Sequence, residues 1–429
     1  MTNGPNQDAQ KTMSAFNTAL LVLTPFGLGY FFSYLYRAVN AVVSPDLVAE
    51  FDLSASDLGL MTAAYLFAFA VFQLPLGILL DRYGPRRIQF VLLLIAALAA
   101  ALFAQSDNVT SLTLSRALIG LGVAGGLMAG FKAVVMWVQP ERRALANSFV
   151  MSMGAIGLLV STRPTEWAVG LYGWRSVFLL LAATTVAVAL IILIVVPERK
   201  GNQPTDTLRQ SIAAVGQIYA NKEFWLLAPL LFFTAGAHIA IQTLWAAPWL
   251  RDIAGLDREG IANMLFWMAA AFFVGIVAAG SIADWLGRRG IHNLDVMVGF
   301  IVAFILAQFI IVFDIVELRT PAWLVFGMAG QSAILGYPWL SSHFGAHLAG
   351  RSNTAINLLV FMMAFVIQFV IGWVIDLFPP PAEGGYGREA YATSFGIFLA
   401  IQVLALLLYL SVRRRHFVRP RSKASASAG

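Results

Sequence analysis

A few ionisable side chains lie where this chain is otherwise apolar. Each is a candidate for chemistry, because charge is costly in such surroundings. Arg37, Arg116, Lys132, Arg163 and Glu166 fall in the first half and His238 in the second, while Asp314, His343 and Asp376 lie nearer the ends of apolar runs. Deep inside the runs, bases outnumber acids. Arg37 sits in YFFSYLYRAVN, where Tyr30, Ser33, Tyr34, Arg37 and Asn40 recur at helical spacing as one polar, aromatic stripe. A fixed guanidinium there can grip a carboxylate or phosphate through two parallel N–H donors. The alternative is an arginine that reaches outward or bonds a backbone carbonyl.

Arg163 and Glu166 stand three apart in STRPTEW, on either side of Pro164. The spacing lets them pair on one helix face, and the proline bends the helix there. Glu166 is then a proton carrier, or the two form a structural ion pair. His238, whose type titrates near neutrality, is a second candidate carrier, or a satisfied interior histidine. Lys132 reads as a snorkelling side chain, or as one that receives substrate. His238, Gln242 and Trp245 recur at i, i+4 and i+7; Tyr337, Trp339 and His343 fall in GYPWLSSHF beside Pro338; Asn357 and Gln368 follow. These offer hydrogen bonds and stacking surfaces to a small molecule, or they pack. Substrate contacts are expected from Tyr34, Arg37, Asn40, Arg163, His238, Gln242, Trp245, Tyr337, Trp339 and Asn357. His292, His347 and His416 read as loop or edge residues, and no spacing suggests a metal site or any cofactor.

The elements that position these residues follow from composition. The chain of 429 residues is 59% hydrophobic and only 12% charged, about half the charge of a soluble domain. The bilayer is the better solvent for it. Twelve apolar runs reach the roughly 20 residues needed to cross a membrane: 17–43, 57–80, 88–106, 109–138, 144–171, 174–196, 224–250, 260–283, 292–314, 320–345, 353–377 and 391–412. Backbone polar groups cannot go unpaired in lipid, so the spans are helices. The chain has no cysteine, which excludes disulfides and thiolate metal sites. Its polar start carries no signal-peptide pattern.

Twelve spans place both ends on one side. The loops and tails of that side hold nineteen Lys and Arg, including RRRHFVRPRSK at the end, and the opposite loops hold five: Arg175, Arg251, Arg258, Arg319 and Arg388. Both termini are therefore expected in the cytoplasm of a multi-pass protein of a bacterial inner membrane. The basic residues lie in short loops between spans, which argues against nucleic acid as a partner. The organisation reads as a tail over 1–16, a six-helix bundle over 17–196, a central loop over 197–223, a second bundle over 224–412 and a basic tail over 413–429. In the loop, TLRQSIAAVGQIY suits an amphipathic helix on the membrane surface.

The halves repeat each other. GILLDRYGPRR follows the second span and GSIADWLGRRG the eighth, and internal repeats mark many secondary transporters. Gly77, Asp81, Arg82, Gly84, Arg86 and Arg87 resemble the loop signature of the major facilitator superfamily. The second copy keeps Gly280, Asp284, Gly287, Arg288 and Arg289 and has Trp285 where the first has a base. SRALIGLG, Ser115 to Gly122, is similar to that family's fourth-helix pattern, and GWRSVF to its start of the sixth helix. The resemblance implies an all-α membrane fold of two six-helix bundles related by a pseudo-two-fold axis. It also implies that Asp81 latches the bundles through the N-terminus of the eleventh helix, with Ser352 or Asn353 as cap and Asp284 as a weaker mirror. For Arg116 it implies a conformational or proton-coupling role.

No phosphate-binding loop or catalytic constellation appears, so the protein is not expected to be an enzyme or to be driven by ATP. The expected function is proton-coupled uptake of a small organic anion by a monomer in the bilayer, coupled through Glu166, His238 or Arg116. Efflux of drug-like or cationic compounds is the alternative, weakened because the first helix carries no deep acid. A channel needs no doubled latch, and a receptor would carry a soluble domain.

Overall fold

The computed structural model describes residues 14–198, 207–345, 348–382 and 384–416. The polar start, Arg199 and Lys200 of the central loop, His347 and residues 417–429 lie outside the described residues. Eleven helices are long and apolar enough to cross a membrane, and no strand occurs among the described residues. We label the spans α1 (Phe16–Phe51), α2 (Ala55–Tyr83), α3 (Pro85–Ala104), α4 (Val109–Trp137), α5 (Arg143–Val160, resuming over 163–172), α6 (174–195), α7 (Lys222–Asp252), α8 (Arg258–Gly287), α9 (Asn293–Phe313), α11 (Ala349–Ile375) and α12 (Arg388–His416). The tenth, α10, is not one helix. It runs as Arg319–Ala329, a tight turn Ser332–Gly336 and Tyr337–His343.

Local sequence sets the ends and breaks. Ser54 and Asp57 form a reciprocal capping box that starts α2. Gly84 holds φ 80°, ψ 157° and Pro85 opens α3, a reversal closed to residues with a Cβ. Gly173 repeats that geometry at φ 76°, ψ 157° between α5 and α6. Pro164 does more than bend α5. The helix stops at Val160 and restarts at Arg163, because proline cannot donate back into the preceding turn and instead suits a first turn.

The fourth-helix glycines allow close crossings. A Cβ on Gly120 would lie 2.8 Å from Tyr65 Cα of α2, and one on Gly122 2.8 Å from Ala96 Cα of α3. Small residues let helix backbones meet where lipid gives no hydrophobic drive. Gly120→Val should therefore destabilise the first bundle by about 1–3 kcal/mol through overpacking. The melting temperature of the purified protein should fall; an unchanged value would contradict the crossing.

The central loop contains the linker helix Leu208–Tyr219, capped by Thr207 and Gln210. Its apolar face is buried on protein at Val215 and Ile218, packed on α11, α7 and α2, so this face meets protein where a membrane surface was expected. Tyr219 donates a hydrogen bond to the Ala355 carbonyl of α11 at 2.9 Å, and burial pushes its phenol up to about 12.

The two bundles meet along α2 with α11, α1 with α7, and α5 with α8. At the end away from the chain termini, the far face, α2 and α11 cross on glycines. A Cβ on Gly59 would stand 3.0 Å from the Gln368 carbonyl, and one on Gly372 3.1 Å from the Trp245 ring. At the terminal face, neither Gly126–Trp137 of α4 nor Tyr337–His343 of α10 makes an extended contact with the opposite bundle.

Candidate functional site

Arg37 lies half-way down α1, 6% exposed. Its guanidinium carbon is 4.6 Å from the ring centre of Tyr34, 5.1 Å from Phe69 of α2 and 4.9 Å from Phe361 of α11. Nε is buried without a partner, and no carboxylate pairs with the group among the described ion pairs. A cation held by ring faces gains about 2 kcal/mol per favourable desolvated contact, which offsets part of the cost of burying an unpaired charge. Arg116 of α4 is fully buried. It donates Nη1 to the Tyr36 carbonyl at 2.9 Å and sits 5.1 Å from the Tyr65 ring; its Nε and Nη2 have no partner. Tyr65 is fixed by a 2.9 Å bond to the Ser33 carbonyl. One turn beyond Arg37, Asn40 donates to Thr62 at 2.9 Å and leaves its buried Oδ1 unpaired.

The second bundle closes this site with aromatic rings. Tyr34 stands 6.1 Å from Phe272 of α8. His238 lies behind that ring, stacked on it at 5.7 Å and flanked by Phe304 and Phe326, with both nitrogens buried and unpartnered. Gln242 falls in a π-turn, Ile241–Trp245, and its Nε2 is likewise unpaired. The π-turn widens the helix and breaks the expected i, i+4, i+7 stripe. Trp245 is thereby turned away, donating to the Gln368 carbonyl at 3.0 Å. Trp339 also lies apart, stacked at 4.8 Å on His343, which meets Glu223 at 3.3 Å. Tyr337 and Asn357 are half-buried, Asn357 one turn from Phe361 on the same face of α11. The structure thus gathers Tyr34, Arg37 and Asn40 and adds Tyr65, Phe69, Phe272 and Phe361, which no charge or spacing signals among 32 phenylalanines.

Arg163 and Glu166 belong elsewhere. They do not pair with each other. Arg163 donates to Glu259 at 2.7 Å and to Asn263, both on α8. Glu166 accepts from Nε of Arg258, whose Nη1 and Nη2 grip Asp46 at 2.9 and 2.6 Å. The break before Arg163 turns both side chains towards α8, and the opposite charges at the start of that helix capture them. Asp376, at the end of α11, accepts from the backbone N–H groups of Ala55 and Ser56 at 3.0 and 2.8 Å and from the Ser56 hydroxyl. A carboxylate on a helix N-terminus takes up free N–H donors and meets the positive end of the dipole. These three clamps join the bundles at the far face. Beside them is a cavity of about 30 Å³ lined by Ala41, Ser44, Glu166, Arg251, Arg258 and Leu265.

Comparison with known proteins decides the family. The model of the Major Facilitator Superfamily matches residues 26–368. This chain belongs to the Major Facilitator Superfamily. It is 24% identical over 286 residues to the probable sulfoacetate transporter SauU of Cupriavidus necator, covering 63% of this chain and 66% of that one. It is 20% identical over 427 residues to the probable galactarate/D-glucarate transporter GudP of Escherichia coli, covering 91% and 92%. The chain spans between 60% and 66% of the length of the first curated relatives it matches. A bacterial homologue of the human lysosomal transporter Spinster, solved inward-facing and unoccupied, superposes with a TM-score of 0.74 at 19% identity, over 94% of this chain and 98% of that one.

The superfamily signature at Gly77–Arg87 is bound within its own bundle. Asp81 accepts from Lys132 of α4 at 2.6 Å, not from the start of α11, so Lys132 is an ion-pair partner and not a snorkelling side chain. The partner comes from the same bundle although Arg351 of α11 stands beside Gly77, one turn from Asp81. Arg86 donates to the Leu193 carbonyl at 3.0 Å at the end of α6, where basic groups satisfy free carbonyls, and Arg87 pairs with Glu198. Arg82 lies over Tyr83 at 5.3 Å. Gly77 packs near Arg351 of the opposite bundle. The second copy is looser. Asp284 is exposed and makes no ion pair among the described residues, and Arg289 stacks on Trp285 at 3.7 Å. α11 begins at Ala349 behind Leu348, without a side-chain cap from Ser352 or Asn353.

Proposed function

We propose that this chain is a secondary transporter that moves a small organic anion by alternating access, with Arg37 as the anion's seat. The observation that carries the reading is a buried guanidinium at the meeting of the two bundles, caged by rings and lacking a carboxylate partner. An anion is the missing partner, since a planar fork of donors fits a carboxylate or sulfonate. Arg116, one turn of packing away behind Tyr65, adds a second positive charge, which suits a dianion. The relatives are named for organic acids, some with two acidic groups (sulfoacetate, galactarate, D-glucarate) and others with one (hexuronate, L-galactonate), which supports an organic anion as cargo. Efflux of cations would need an acid beside Arg37, and none pairs with it among the described ion pairs.

The excess of Lys and Arg on the terminal face supports a cytoplasmic placement of both ends in a bacterial inner membrane. We read the far-face clamps as closing the outer side, which supports an inward-facing state. Transport inward, driven by a proton gradient, is the direction we assign. Glu166, which shares Arg258 with Asp46, is the acid we assign to the proton.

The test is a thermal-stability screen of the purified protein with sulfoacetate, galactarate, glucuronate, phosphate, nitrate and a lipophilic cation. A ligand at a hundred times its Kd stabilises the folded state by about 2.7 kcal/mol. A dianionic organic acid should raise the melting temperature by a few degrees. Stabilisation by the lipophilic cation alone would replace this reading with efflux.

A further inference from the structure

The three rings around Arg37 do not belong to one rigid body. Tyr34 and Phe69 come from the first bundle, and Phe361 comes from the second. Phe361 is 6% exposed and also touches Phe69, with ring centres 4.4 Å apart. The clamps between bundles lie at the far-face ends of α1, α2, α5, α8 and α11. Phe361 is fourteen residues before the end of α11 at Ile375, about 20 Å deeper by the helical rise. It therefore meets Arg37 near mid-membrane, on the α2–α11 seam that continues to Gly77 and Arg351 at the terminal face.

A guanidinium stacks through its faces and donates hydrogen bonds in its plane. The rings hold the guanidinium in place and leave it N–H donors, Nε among them, for an anion. Losing one ring frees a long side chain that must be ordered again on binding. We propose that Phe361 is a positioning residue: it fixes Arg37 for the anion in this conformation, and it couples the seat to the movement of the second bundle. This rests on the reading of Arg37 as the anion's seat. When the bundles rock, Phe361 travels with α11 while Tyr34 and Phe69 stay with Arg37. The seat is then three-sided in one state and two-sided in the other, and its affinity changes with the side to which it opens.

The test uses the full chain with sulfoacetate as probe, and three kinds of substitution at position 361. Phe361→Leu keeps apolar bulk without a π face. Phe361→Trp keeps the face. Phenylalanines carrying one, two and three ring fluorines withdraw electron density step by step with little change of shape. Phe361→Leu should raise the KM for uptake about tenfold with Vmax little changed, Phe361→Trp should restore it, and the fluorinated series should raise KM in graded steps. Without any ligand, the same series should lower the melting temperature in graded steps when Arg37 is present and not in an Arg37→Met background. A flat series in both measurements, or full function with leucine, overturns the proposal and leaves the anion reading standing. Graded melting temperatures together with sulfoacetate binding that survives Arg37→Met overturn both, because the cage would then hold an arginine that seats nothing.

Discussion

Arg37→Ala should abolish anion-dependent stabilisation and uptake, and Arg37→Lys should recover little of either. Alanine removes the charge and the fork together. Lysine restores a point charge but offers no planar pair of donors and stacks poorly on the Tyr34, Phe69 and Phe361 rings. A hydrogen bond to a charged group contributes about 1.5–3 kcal/mol, so losing two weakens binding by roughly a hundredfold or more. The fold should not suffer. An unpaired buried charge exchanged for an apolar side chain of similar volume is often neutral or stabilising, by about 1–4 kcal/mol. Arg37→Met without ligand should therefore melt no lower than the wild type while losing its response to the anion. Calorimetric titration and melting curves on both variants measure this. A retained anion response would mean that Arg37 is structural.

Arg258→Ala should open the far face. Arg258 ties α8 to Asp46 of α1 and to Glu166 of α5, and its removal leaves those two carboxylates facing each other without a counter-charge. The Arg258 side chain is 44% exposed, so each pair is discounted to the value of a surface bridge, up to about 1 kcal/mol. Two such losses with the added repulsion amount to about 2 kcal/mol, a population shift of roughly thirtyfold. The chain has no cysteine, which allows a direct reading. A single cysteine placed at Ala41 or Leu265, both lining the small cavity beside the clamp, should react with a membrane-impermeant maleimide much faster in Arg258→Ala than with Arg258 intact. Equal rates would show that Arg163–Glu259 and the Asp376 cap hold the face closed unaided.

The spans were legible because a run of twenty apolar residues has few other uses. The breaks were less so. Pro164 marks an irregularity in α5, but whether a proline bends a helix or ends it depends on packing around residues 161–162. Pro338 marks a bend in α10, but nothing in 320–345 announces the tight turn Ser332–Gly336 that splits it into three pieces. Arg37 stands out as a charge on an aromatic stripe, but counting within 17–43 puts it roughly 10 Å past the middle, and only the longer helix, Phe16–Phe51, brings it nearer the centre. Its cage does not stand out, because Phe69 and Phe361 lie far apart in the chain and look like any other apolar residue. The i, i+3 spacing of Arg163 and Glu166 was readable and misleading for the same reason: the stronger partners come from the other bundle. The reasoning that a carboxylate seeks a helix N-terminus across the interface is realised at Asp376 on the start of α2. At Asp81 a lysine in its own bundle prevails.

Arg37 and Arg116 place two fixed positive charges within the spans, and the described ion pairs give neither a carboxylate. A membrane voltage acts on net charge, at about 2.3 kcal/mol per elementary charge per 100 mV. An empty seat presents the full charge of both guanidiniums to that field, whereas a seat holding a dianion presents almost none. On the proposed reading, the membrane voltage would act chiefly on the unoccupied seat, and the resting potential would bear more on how fast the protein resets than on how the anion is held.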